Sequence, residues 1–236
     1  MQTGDVVERY RRLRAICTHH QNEAMDCVAH TAIFDHARRL GLAEGGTLLV
    51  DEDDPEMQLI YDLALHTAKP GRSRAIVRHA RRARCPAGSD DARVLQALCE
   101  ARFSFWKVER RHAVAGVVVT DLMLEQETWL LDEAMAMSAT PGDCFAGRLC
   151  RPDEFAMTCL SFVPMDRELL DDVFDELGTW LRSSDPRRVI EDARFAASVY
   201  RAAVASGIMD NVVQRDEQAR AALAPLFDAA AAPGSD

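Results

Sequence analysis

The sequence predicts an α+β fold: a helical N-terminal half, a small five-stranded antiparallel sheet or open barrel, and a helical C-terminal arm. Three observations carry that prediction. Apolar residues recur at steps of three and four before residue 102 and again after residue 165, the period of one helix face. Between Phe103 and Phe162 the pattern changes to short runs rich in aromatic and branched side chains. Turn-forming residues bound each of those runs. The division that follows is a helical region over 1–101 with one short strand near 47–50, a β domain over 102–165, a helical arm over 166–227 and a disordered tail over 228–236.

The first helical stretch spans about 5 to 40, with a break expected near Asn22. Its apolar face is Val6, Tyr10, Leu13, Cys17, His20, Ala24, Cys27, Thr31 and Phe34, and Gly41 after Arg38 and Arg39 is a helix-ending signature. Thr47 to Val50 reads as a lone strand. Asp54-Pro55-Glu56 opens the next helix, with Asp54 as the cap for its free amides. In that helix Gln58, Asp62 and His66 read as a solvated polar face opposite Leu59, Ile60 and Leu63. Arg72 to Arg84 reads as a basic helix, and Ser89 caps a further one that ends near Ala101.

The strand-length runs are 103–108, 117–124, 128–131, 144–149 and 155–162. Their aromatics, Phe103, Phe105, Trp106, Trp129, Phe145, Phe155 and Phe162, supply the bulk that a small sheet needs for its core. Beyond them Asp166 caps a helix with the stripe Leu170, Val173, Phe174, Leu177 and Leu181. Asp185-Pro186 opens the next helix, which closes at Gly207, and a weaker amphipathic helix follows over 208–227.

The formal charge of −10 argues against a general nucleic-acid coat. That average conceals two opposed segments: 69–111 carries a local +8 and 121–176 a local −11. Such segments can attract each other within the fold, pair two copies as a homo-oligomer, or offer a basic face to an acidic partner. The longest apolar stretch is seven residues, Ala113 to Val119, too short to span a bilayer, so no membrane contact is expected. Met1 to Arg14 lacks the apolar region of a secretory signal, which points to the cytoplasm and to free thiols for the seven cysteines.

Ser89 to Val108, with Val119-Thr-Asp-Leu122, Trp129-Leu-Leu-Asp132 and the strand-like Gly46-Thr47-Leu48, resembles a group of alphaproteobacterial proteins of unknown function over about residues 5 to 165. The resemblance implies the same order of helices followed by a compact sheet that ends near Pro164. It implies no activity and no catalytic residues. A related sheet elsewhere accompanies a zinc motif of clustered cysteines, and no such cluster occurs here.

Cys17, His20, Cys27 and His30 are the metal candidates, since sulfur and imidazole ligate zinc and each Cys-x-x-His pair shares a helix face. On one straight helix the pairs stand about 15 Å apart, so a shared ion needs a helix break or a second chain. Packing on the apolar stripe explains these residues more simply, and no metal or other cofactor is expected. Asp51 to Asp54 lacks the spacing of a calcium loop. There is no Gly-x-Ser-x-Gly elbow, no glycine-rich phosphate loop and no His-Glu-x-x-His helix. The expectation is therefore a non-catalytic binding or regulatory protein. Its contact residues are Arg74, Arg78, Arg81 and Arg82, which suit carboxylates or phosphates bidentately. A protein partner is favoured by the net charge. The alternatives are nucleic-acid binding through the arginine helix 72–84 and a metal-dependent enzyme using the Cys17/His20/Cys27/His30 region.

Overall fold

The computed structural model describes residues 3–209. Its N-terminal part comprises α1 (Thr3–Met25), α2 (His30–Leu40), the hairpin β1 (Ala43–Glu44) and β2 (Thr47–Leu48), α3 (Pro55–His66), α4 (Ala75–Ala80) and α5 (Asp90–Glu100). Then come β3 (Arg102–Arg111), β4 (Val117–Asp121), β5 (Gln126–Leu130), α6 (Glu133–Ser138), β6 (Cys144–Cys150) and β7 (Met157–Pro164). The helices α7 (Arg167–Ser183), α8 (Pro186–Val189) and α9 (Ala193–Ser206) follow. The fold is α+β, as the change of period predicts. Most of the helix read over 208–227, and all of the tail read over 228–236, lie outside the described residues.

The five strands form one antiparallel sheet in the order β5-β4-β3-β6-β7. The sheet is open. Its two edges meet only at one end, where Leu130 bridges Ala156 and Ala156 donates its N–H to the Trp129 carbonyl at 2.7 Å. Two apolar clusters tie the sheet to the helices. One joins α2, α3 and the α7–α9 arm to Phe103, Phe105, Ala146 and Val163, and the other joins α1, α4 and α5 to Phe155, Met157 and Cys159. Trp106 and Phe145 pack with Val119 and Met135 in a third. The rings of Phe103, Phe105, Trp106, Phe145 and Phe155 are buried, while Trp129 and Phe162 are half-buried.

Several local expectations need correction. The N-terminal helix breaks after Met25 rather than at Asn22, because Gln21 and Ala24 still face the core and hold the helix together one turn longer. Thr47–Leu48 is not a lone strand. It pairs with Ala43–Glu44 across Gly45-Gly46, both at positive φ, and Leu49 beyond it is exposed. Pro55 starts α3, but the Asp54 carboxylate accepts the Asp51 N–H at 2.7 Å instead of capping the helix amides. Asp166 and Ser89 do cap α7 and α5, accepting from Leu169 and Ala92.

The basic helix is six residues, α4, not 72–84. The chain enters it from the Pro70-Gly71 turn and leaves through Cys85-Pro86, and a residue before proline disfavours the helical region. The buried face of α7 is Leu169 and Val173 with Gly178, while Phe174 is exposed. Leu170, Leu177 and Leu181 of the stripe read from sequence pack against the same core as Val173, so Phe174 is its one exposed member. The short α6, whose cap is the Asp132 carboxylate accepting from Met135, carries no turn signal strong enough to be read in the sequence.

At the β3–β4 turn Gly116 has φ +74°, and a Cβ there would strike the Leu130 carbonyl oxygen on the neighbouring strand. Gly116→Ala is therefore expected to destabilise the protein by about 2 kcal/mol or more, from the strained conformation and the clash together. Urea unfolding of the variant beside the wild type measures it.

Candidate functional site: a polar cavity beside a buried ion pair

α3 places Asp62 and His66 one turn apart, and both are buried, at 1% and 3% exposure. The reading of these two residues as a solvated face is wrong. α1, α2, α4, α9 and β7 all pack on α3, so the helix has no broad side left for water. Asp62 instead meets Arg148, which projects from the middle of β6. Arg148 Nε donates to Asp62 Oδ1 at 3.0 Å and Nη2 to Oδ2 at 3.1 Å, a forked pair with both side chains out of solvent. The Arg148 guanidinium also lies 5.8 Å from the centre of the Phe103 ring. The fully buried Tyr200 of α9 packs edge-on against Phe103 with ring centres 5.2 Å apart.

Burial pushes the Asp62 carboxyl up, but the Arg148 charge together with the hydrogen bonds to the carboxylate outweighs it and holds the group below the ordinary carboxylate range. Burial likewise opposes the charge on Arg148, and Asp62 reverses that. For His66 the Asp62 charge compensates only in part. Burial, and then repulsion by Arg148, push its imidazole down to about 3, so the ring is neutral at pH 7. Neither ring nitrogen has a hydrogen-bond partner. A buried polar group without a partner costs about 1–3 kcal/mol.

His66 borders a cavity of about 510 Å³ enclosed by the 67–74 strap, the α5–β3 junction and the start of α9. Lys69, Arg72, Arg74, Arg102 and Arg148 line it, opposed by Glu100, Glu191 and Asp192. The strap follows directly from sequence: Lys69-Pro70-Gly71 ends α3 and turns the chain, with Gly71 at φ +77°. Arg74 donates to the Cys99 carbonyl, and burial followed by repulsion from Arg148 lowers its pKa. Burial raises the Cys99 thiol, which contacts the Ile76 carbonyl, so this cysteine is held as a thiol rather than an activated nucleophile. The wall carries more cations than carboxylates, with one neutral imidazole. Guanidinium donors of this kind suit an anionic oxygen group, and no nucleophile in the lining is paired with a base.

Of the four arginines singled out from sequence, Arg74 lines this cavity. Arg78 donates to the Ser73 and Cys27 carbonyls, while Arg81 reaches the Ser73 hydroxyl at 3.2 Å and Arg82 the Cys27 sulfur at 3.5 Å. All four touch groups of the chain itself. Arg81 and Arg82 remain exposed. The candidates Cys17, His20, Cys27 and His30 are not brought together. The Cys17 thiol faces Cys150, which in turn contacts Cys159. His20 Nδ1 lies 3.1 Å from His79 Nε2, Cys27 sits in the break before α2, and His30 is exposed at the start of α2. Among the described residues no group of three His, Cys, Asp or Glu side chains is placed to hold a metal ion. Nor does any described helix have the length and apolarity to cross a membrane.

The molecule is thus an α+β protein with an open antiparallel sheet and a cationic cavity seated on a buried ion pair. The chain belongs to a family of unknown function, DUF7986, which matches residues 4–186 and so includes every element of the site up to α8. Comparison with curated proteins and with solved structures finds no match.

Two outcomes follow from this geometry. Asp62→Asn strands a buried guanidinium and should cost about 3 kcal/mol or more, whereas Asp62→Leu combined with Arg148→Met should recover most of that loss. Urea denaturation of the three proteins checks the pattern. His66 takes up its proton at about 6.5 when unfolded and about 3 when folded, so between those values the unfolded state binds one more proton. Stability is full above pH 6.5 and falls by about 1.4 kcal/mol per unit on acidification through that window. His66→Gln should flatten the measured pH dependence by one proton.

Proposed function

We propose that this is a non-catalytic binding protein of the bacterial cytoplasm, alphaproteobacterial in kind, and that its cavity accepts an anionic group presented by a protein partner. The observation that carries the reading is His66: a neutral, buried imidazole with both nitrogens unpartnered, bordering a cavity with arginine on its walls. A cavity walled by guanidinium groups favours a ligand that offers charged oxygen. Proteins supply that group on aspartate and glutamate. The net charge of −10 favours such a partner over nucleic acid, whose binding scales with overall cation density.

The test is titration with a tetraglutamate peptide. Binding should raise the wild-type Tm with peptide concentration. The double variant Arg72→Ala/Arg102→Ala, at two exposed rim positions, should weaken the affinity about tenfold or more. A wild type that shows no shift, or a double variant that keeps the full shift, overturns the reading.

A further inference from the structure

A second cavity, of about 690 Å³, lies on the other side of the 67–72 strap. The two share lining residues from Thr67 to Arg72 and the start of α9 at Asp192 and Ala193, so a single exposed segment of chain with Pro70 and Gly71 at its tip divides them. The second cavity repeats the chemistry of the first. Arg39 and Arg78 line it, and so does His36, whose Nδ1 is buried without a partner. Burial, then the charge of Arg39, keep that imidazole neutral at pH 7. Lys69 lies on both walls and pairs with Asp35 at 3.7 Å over the strap.

We propose that the two cavities are the halves of one groove for an extended acidic peptide, which crosses the strap and places a carboxylate side chain in each. The inference rests on the binding reading above and adds the length and class of the ligand. Two features select a peptide. Cations line the cavities on both sides of the strap, which a single small anion would not require. Neither lining exposes a phenylalanine, tyrosine or tryptophan ring, Phe103 being 1% exposed, and single-stranded nucleic acid stacks on such rings. An extended chain advances about 3.3 Å per residue, so eight residues reach about twice as far as four and are the better placed to enter both cavities.

The experiment is fluorescence anisotropy of labelled tetraglutamate and octaglutamate with the full chain and with the exposed-site variants Arg39→Ala and Arg102→Ala, each first shown to unfold at the wild-type denaturant midpoint. Octaglutamate should bind about tenfold or more tighter than tetraglutamate. Arg39→Ala should remove that advantage while leaving tetraglutamate affinity within about twofold, and Arg102→Ala should weaken both peptides. If octaglutamate is no tighter, or Arg39→Ala leaves its advantage intact, the split groove is wrong although the cavity reading stands. If neither peptide binds, both fall. Tighter binding of an oligothymidylate of equal charge overturns the choice of a peptide.

Discussion

The contact between Asp62 and Arg148 sets the terms for the centre of this molecule. A carboxylate and a guanidinium cannot enter a protein interior singly, because the loss of hydration far exceeds anything an apolar wall returns. Their forked geometry at 3.0 and 3.1 Å fixes α3 against β6 in both distance and rotation. That rotation decides which side of α3 faces which neighbour, and so brings His66 to the base of the cavity. It also gives the first apolar cluster its shape, since Phe103 and Tyr200 are packed around the pair.

The same charge that anchors the fold conditions the site. Arg148 is paired with Asp62 but still repels the proton from His66, and burial with that repulsion outweighs the attraction of Asp62 and keeps the imidazole neutral. Arg74, a little further out, feels the same repulsion. The walls grade from a compensated buried guanidinium to exposed cations at the rim. Elsewhere arginine works as mortar. Arg14, Arg74 and Arg78 each donate to main-chain carbonyls on a different element, and the last two account in this way for part of the basic segment.

The candidate site was only partly legible in the sequence. Arg74 was singled out and does line the cavity, yet Asp62 and His66 were read as solvated, and Arg148 was counted only as one charge in an acidic stretch. Two signals were available. Arg148 is the lone charge in the apolar run Cys144 to Cys150, and a charge at such a position must find a counter-charge. Asp62 and His66 stand among Leu59, Ile60, Leu63, Ala64 and Leu65, too apolar a helix to leave one side in water. What no sequence signal supplies is the pairing itself, because the two partners are 86 positions apart.

Local chemistry set the class of fold, the five strands of the main sheet and several helix starts. Alternation and aromatic content require a pleated surface, Ser89 and Asp166 accept from amides within one turn of themselves, and Pro55 fixes its own φ at the first position of α3. Tertiary structure alone decided which face of each helix is buried, where α1 ends, how much of 72–84 is helical, and that two cavities lie on either side of one strap. These are matters of what packs against what, and a residue's exposure is a property of its neighbours in space rather than its neighbours in the chain.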